Sequence, residues 1–311
     1  METLAQVAAE NPTSALVLTR EEGHLDVGEA LLGLGVRRLF IEKPLSARHG
    51  QANVTEEDYF ESARFLRNAD AKGCEVAMNF NYRFYVLSQK LRAFITERNF
   101  GELKESTMMV NYACWSHCID LLRHFGGRVK TITALGERRE NADLAGAFTF
   151  ENGGTGTILG TVATNFAMSL YYVVLNFERA IVTFEDLDSE MSIYETGTEH
   201  RETHRLLGQA PRWTQHHASF AKSLEAYLAA IDGGLPPPVS GADGGCALAF
   251  FNLGNKPAIA PELNLPYWLG GSFQVRDLWA RKDLGELDEA TVVGVAPHSA
   301  KVYRLTPVAT G

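Results

Sequence analysis

Lys43 stands between Glu42 and Pro44 at the end of the apolar run Arg38-Leu39-Phe40-Ile41. A lysine at the C-terminal end of a strand lies where open α/β sheets bind ligands. A second candidate group sits on Trp115–His124, which reads as a helix. There His117 precedes Asp120 by three residues, close enough on a helix for the carboxylate to orient the imidazole. An imidazole can take or give a proton near neutral pH. His24, after the first apolar strand, is a third candidate. Cys114, His117 and Cys118 are metal-ligating types, but no CxxC spacing accompanies them and no metal site is expected. His216-His217 reads as surface at the entry of a late helix.

These groups need elements to hold them, and apolar periodicity supplies a scheme. Residues 1–10 read as a helix, 15–19 as a buried strand, 24–34 as a helix and 38–41 as a second strand. A helix from Glu56 to about Lys72 and a strand over 74–79 follow. Thr55 with Asp58 three residues on forms a capping box. That reading suits Asn53-Val54-Thr55 better than a glycosylation acceptor. Continuous apolar strands alternating with helices predict parallel βαβ units covered on both faces.

The texture then changes. A helix over 86–98 precedes a strand over 107–112 and the helix that carries His117. Strands are expected over 129–136, 145–151, 155–163, 170–177 and 180–185, with a turn at Asn152-Gly153-Gly154. Short turns between sequential strands predict a mostly antiparallel sheet. A helix over about 217–232 ends at Gly233-Gly234-Leu235-Pro236-Pro237-Pro238, a stiff breaker. Beyond Gly244 the short apolar runs 247–251, 273–279, 290–295 and 301–305 read as a β-sandwich module.

The chain has 311 residues, 45% hydrophobic and 22% charged, with a formal charge of -9. No basic excess exists to neutralise phosphates, which argues against nucleic acid or an acidic membrane surface as partner. No apolar run approaches the roughly 20 residues of a membrane helix, and the N-terminus lacks the marks of a signal peptide. The four cysteines, Cys74, Cys114, Cys118 and Cys246, are too sparse for a disulfide framework, so reduced thiols in the cytoplasm are expected.

Two glycine-rich spots fail as phosphate cradles. Gly33-Leu34-Gly35 lies between a helix and the next strand, whereas a cradle needs strand then helix so that the helix N-terminus faces the anion. Gly154-Thr155-Gly156 lies between two strands.

Glu42-Lys43-Pro44, Asn79-Phe80-Asn81-Tyr82-Arg83-Phe84, Trp115-Ser116-His117-Cys118-Ile119-Asp120-Leu121-Leu122 and Phe220–Ala230 with Pro238-Val239-Ser240-Gly241 occur in this order. Together they resemble the glucose–fructose oxidoreductase / inositol dehydrogenase (Gfo/Idh/MocA) family over about residues 1–243. The resemblance implies a Rossmann-like dinucleotide-binding domain over 1–83. It also implies an α+β domain over 84–243 whose open sheet mediates homo-oligomerisation. It further implies NAD- or NADP-linked chemistry on a hydroxyl of a sugar or cyclitol. By matching motif, Lys43 would lie near nicotinamide and substrate hydroxyl, with His117 as general acid/base and Asp120 beside it. His24, Glu42, Lys43 and Pro44 would border the cofactor. Oxidising a carbinol requires removal of its hydroxyl proton, which a histidine can take while a lysine stabilises the alkoxide.

Two departures stand out. Family members often carry an aspartate four residues before the histidine, where this chain has Ala113. The family's first strand, glycine-rich loop and acidic ribose-binding residue have no counterpart, so the resemblance implies a truncated Rossmann sheet. Losing two or three charged hydrogen bonds to the pyrophosphate would remove about 3–9 kcal/mol of binding. The remaining first strand would become a sheet edge.

Residues 245–311 resemble the C-terminal β-domain of α-galactosidases, through Cys246–Gly254, Val275–Trp279, Lys282–Gly285, Pro297-His298-Ser299 and Tyr303-Arg304-Leu305. The catalytic barrel of those enzymes has no match, and Trp279 reads as a core aromatic before a sugar platform. The expected fold class is therefore α/β with a partial Rossmann parallel sheet, then an open mostly antiparallel sheet, then a small β-sandwich over 244–311. Two further functional readings stay open: a non-catalytic oligomeric or carbohydrate-binding scaffold, and an NAD-dependent glycosidase.

Overall fold

The structure, a computed structural model, describes residues 4–50, 54–111, 115–135, 145–161, 171–207 and 211–241. Beyond these it describes the strands 248–252, 258–260, 273–277, 282–286, 293–295 and 299–307. Asn53, Ala113, Cys114, Cys246 and Trp279, singled out above, lie outside the described residues.

A short helix α1 (Leu4–Ala9) precedes a three-stranded parallel sheet. Its strands β1 (Ser14–Val17), β2 (Arg38–Glu42) and β3 (Glu75–Asn79) lie in chain order. The crossovers carry α2 (His24–Gly33) and α3 (Glu56–Ala71). The unbroken apolar run of β2 follows from its burial on both faces. Leu39 and Ile41 join Leu31, Leu32 and Phe65 on one side. Phe40 instead meets Tyr227, 5.2 Å away between ring centroids, on the last long helix.

The capping box at α3 is present and extends further than the sequence indicates. The Asp58 carboxylate accepts hydrogen bonds from the Thr55 N–H and hydroxyl, and also from the Ser46 hydroxyl and the Arg48 N–H. Burial alone would raise its pKa. The four hydrogen bonds outweigh that and hold the carboxyl below its ordinary value. One side chain thus starts a helix and pins the segment that leaves Lys43.

After β3 a 3-10 turn, Asn81–Phe84, leads into α4 (Val86–Glu97) and an eight-stranded sheet. Its strands are β4 (Leu103–Asn111), β5 (Val129–Leu135), β6 (Ala145–Phe150), β7 (Thr155–Thr161), β8 (Tyr171–Phe177), β9 (Ala180–Glu185), β10 (Glu190–Glu195) and β11 (Glu202–Arg205). Their order is β11-β10-β9-β8-β4-β7-β6-β5, and every neighbour is antiparallel except the β4–β7 pair. The helix α5 (Trp115–Gly126) packs Cys118, Leu121, Leu122 and Phe125 into the core under this sheet. β10 and β11 escape the sequence reading. Glu-Thr-His-Arg has no apolar residue, and its pairing to β10 alone makes it an edge strand.

The helix α6 (Pro211–Asp232) starts earlier than expected and returns to the first sheet. The chain then runs alongside β3, where Met78 N–H donates to the Val239 carbonyl and Ala77 bridges Ser240. The C-terminal strands form two antiparallel sheets. One has the order β12 (Leu248–Asn252), β17 (Ser299–Pro307), β14 (Phe273–Asp277), β15 (Lys282–Glu286). The other pairs β13 (Ala258–Ala260) with β16 (Val293–Val295).

Candidate functional site

A cavity of about 270 Å³ opens at the C-terminal ends of the parallel strands. Thr19 and Glu21 come from the loop after β1, His24 from the start of α2, and Glu42 and Lys43 from the end of β2. Tyr82 comes from the turn after β3, His117 from α5, and His216 and Phe220 from α6. A larger hollow of about 440 Å³ on the eight-stranded sheet is lined chiefly by threonines and lacks histidine and lysine. The larger hollow has one titratable group, Glu105, whereas the smaller cavity gathers three histidines, a lysine and two glutamates.

His117 is buried at 3% exposure. Its ring stacks on Tyr82 with centroids 3.8 Å apart and planes 4° from parallel, and Phe80 meets it edge-on at 5.9 Å. Its Nδ1 is buried and has no hydrogen-bond partner. Burial, then the charges of Lys43 and His216, hold its pKa well below the ordinary histidine value. Both effects favour the neutral form of the ring.

Asp120 does not serve His117 as its spacing suggests. The buried carboxylate is gripped by Arg83, with Nε at 2.8 and 3.0 Å and Nη2 at 2.5 Å. A guanidinium fork fits a carboxylate in this bidentate way. Arg83 belongs to the same turn as Tyr82, so the pair ties α5 to the turn whose aromatic ring supports His117.

His24 is also buried, and each of its nitrogens lies near a backbone carbonyl, of which a neutral ring donates to one. Nδ1 lies 2.8 Å from the Pro44 carbonyl and Nε2 2.9 Å from the Thr19 carbonyl. The ring clamps the loop after β1 to the loop that carries Lys43. Pro44 enters through that carbonyl. Glu42 accepts a hydrogen bond from Asn79 at 2.6 Å. Burial raises the Glu42 pKa, against the opposing effects of Asn79, Lys43 and His24.

Tyr82, His216, Phe220, Thr19 and Glu21 are additions to the predicted set. His216, expected at the surface, instead borders the cavity, while His217 remains exposed. Its Nδ1 is 3.1 Å from the Tyr85 hydroxyl. A polar helix N-terminus carries no sign in sequence of which histidine turns inward.

Residues 239–305 match the family model of the alpha galactosidase C-terminal beta sandwich domain. The match begins at Val239, before the expected start at 245, in the segment that pairs with β3. No curated protein matches the chain by sequence. Among solved structures, levoglucosan dehydrogenase in complex with NADH and levoglucosan is similar with a TM-score of 0.65 and 15% identity. The alignment covers 78% of this chain and 77% of that one. An oxidoreductase from Agrobacterium radiobacter, in complex with NAD+, L-tartaric acid and magnesium, is similar with a TM-score of 0.60 at 15% identity. The alignment covers 74% of this chain and 73% of that one. UDP-N-acetylglucosamine 3-dehydrogenase from Acidithiobacillus ferrooxidans is similar with a TM-score of 0.59 at 18% identity, over 78% and 77% of the two chains. The chain thus has the fold of the Gfo/Idh/MocA-type oxidoreductases, followed by a segment that matches the α-galactosidase C-terminal β-sandwich.

Proposed function

We propose that this chain is an NAD- or NADP-dependent oxidoreductase acting on a hydroxyl-bearing carbon of a sugar or cyclitol. The observation that carries this reading is the meeting of Lys43 with a buried, neutral His117 in one cavity at the strand ends. A nicotinamide bound there would supply the hydride acceptor. The chain's own residues do the rest. His117 takes the proton from the reacting hydroxyl, and the Lys43 ammonium stabilises the developing alkoxide. The Tyr82 stack and the Arg83–Asp120 pair hold the imidazole in place. The His24 clamp fixes the loop beyond Lys43.

The residues suit the reactive end of such a cofactor. Among the described residues no glycine-rich turn leads from a strand into a helix N-terminus. The outer face of the eight-stranded sheet supports self-association. Leu159, Met109 and Tyr172 are cross-strand neighbours on β7, β4 and β8 and are 37–44% exposed. The direct test is a thermal melt with saturating NAD(H) or NADP(H). Ligand at 100 times its Kd adds about 2.7 kcal/mol. A midpoint raised by roughly 2 °C or more supports the reading. A cooperative melt with no shift favours the scaffold.

A further inference from the structure

His24 opens α2 directly after the 3-10 turn Glu21–Gly23. Its ring is 1% exposed and stands between two backbone oxygens, with Nδ1 toward Pro44 and Nε2 toward Thr19. A carbonyl oxygen only accepts, so each contact needs a proton on the facing nitrogen. A neutral imidazole carries one such proton and the imidazolium carries two. In the neutral ring one contact sets a nitrogen lone pair against an oxygen lone pair at 2.8 or 2.9 Å. The protonated ring completes both bonds, and bonds from a charged donor are about twice as strong as neutral ones.

The two acceptors belong to different loops. Thr19 follows β1, and Pro44 follows Lys43 at the end of β2. A buried cation needs a counter-charge. Glu42 lines the same cavity, and its carboxylate is favoured by the charges of Lys43 and His24 against its own burial. Glu21, from the turn before α2, is a second carboxylate there. Lys43 from β2, His117 from α5 and His216 from α6 face the same space and oppose a further positive charge. On the outer side, Asp26 of α2 and Glu61 of α3 pair with Arg48 and so offset that cation.

We propose that His24 is a proton-operated clamp on the backbone that presents Lys43. As an imidazolium it donates to the Thr19 and Pro44 carbonyls together and ties the two loops. As a neutral ring it releases one of them. The clamp closes as pH falls and opens as pH rises, opposite in sense to His117, which burial keeps neutral. It operates whether or not a nicotinamide binds.

The test is a pH titration of the full chain by nuclear magnetic resonance. Pro-Leu occurs in the chain only at Pro44-Leu45, and Thr-Arg only at Thr19-Arg20. Carbonyl-labelled proline with amide-labelled leucine therefore marks one clamped peptide group. Carbonyl-labelled threonine with amide-labelled arginine marks the other. Ring-labelled histidine reports the nitrogens of His24, identified as the signals that His24→Gln removes. Histidines change charge between about pH 5 and 8. Both His24 nitrogens should carry protons at the acid end, and one should lose its proton as the pH rises. The amide signal of Leu45 or Arg20 should move with the same midpoint in the parent and stay still in His24→Gln. A ring that keeps one bare nitrogen, or both protons, across the range overturns the clamp. So does a ring that titrates while both amides stay in place, or an amide that moves equally in His24→Gln. Where His24→Gln folds poorly, single variants of the other histidines assign the ring by elimination, and the shared midpoint in the parent decides.

Discussion

The Tyr82 and His117 rings lie face to face, 3.8 Å between centroids and 4° from parallel. Two segments far apart in sequence meet in this contact, and the Arg83–Asp120 ion pair sits beside it. Tyr82→Phe keeps the face and should leave turnover within a few-fold of the parent. Tyr82→Leu should lose about 0.5–1.5 kcal/mol of aromatic interaction and lower kcat more than it raises KM. Equal kinetics for the two variants would refute a positioning role for the stack.

Asp120 is a structural anchor in this arrangement. Asp120→Ala leaves the Arg83 guanidinium buried without its partner, which typically costs about 3–5 kcal/mol. An unfolding free energy within about 0.5 kcal/mol of the parent, from denaturant titration, would show that the pair does not anchor the turn.

Under the proposed function, replacing Lys43 and His117 should separate chemistry from folding. Lys43→Ala and His117→Ala should each lower kcat/KM by at least about 100-fold. Lys43→Ala should melt near the parent temperature. Turnover that survives both substitutions would remove these two residues from the mechanism.

Acidification should destabilise the chain through its histidines. The folded state holds His117 well below 6.5, so it refuses a proton that the unfolded chain accepts below about that pH. The stability from this group is complete above the unfolded value and declines as pH falls toward the folded one. His216 acts in the same direction, while Glu42, whose pKa is raised, acts oppositely. One proton limits the slope to about 1.4 kcal/mol per pH unit. Between pH 7 and 5 the parent should lose more stability than His117→Gln does. Parallel pH curves would contradict the buried neutral ring.

Gly28 on α2 faces Phe65, and a Cβ there would stand 2.7 Å from the ring. Alanine gains about 0.8–1.0 kcal/mol in helix propensity, but overpacking typically costs about 1–3 kcal/mol. Phe65 is 1% exposed and has nowhere to yield. Gly28→Ala should therefore lower the melting temperature, and a rise would mean that α2 and α3 separate freely.

The alternation of apolar strands and helices was enough to determine the parallel sheet, and the residues nearest Lys43 were visible beside it. Such local patterns are written in consecutive residues because burial on one or two faces selects them directly. The capping box of Thr55 and Asp58 was equally legible. β11 was not, because an edge strand of four polar residues is held by its neighbour and not by its own apolar pattern. The partners of Asp120, His24 and His216 were hidden for a related reason. Arg83 outcompetes His117 for Asp120 because its fork reaches the carboxylate from another segment. Two carbonyls of separate loops claim His24. His216 enters the cavity because α6, from the far end of the chain, folds back over Phe40 and beside Tyr82. Spacing along one helix specifies which residues share a face. Only tertiary packing decides which groups from distant segments arrive there first.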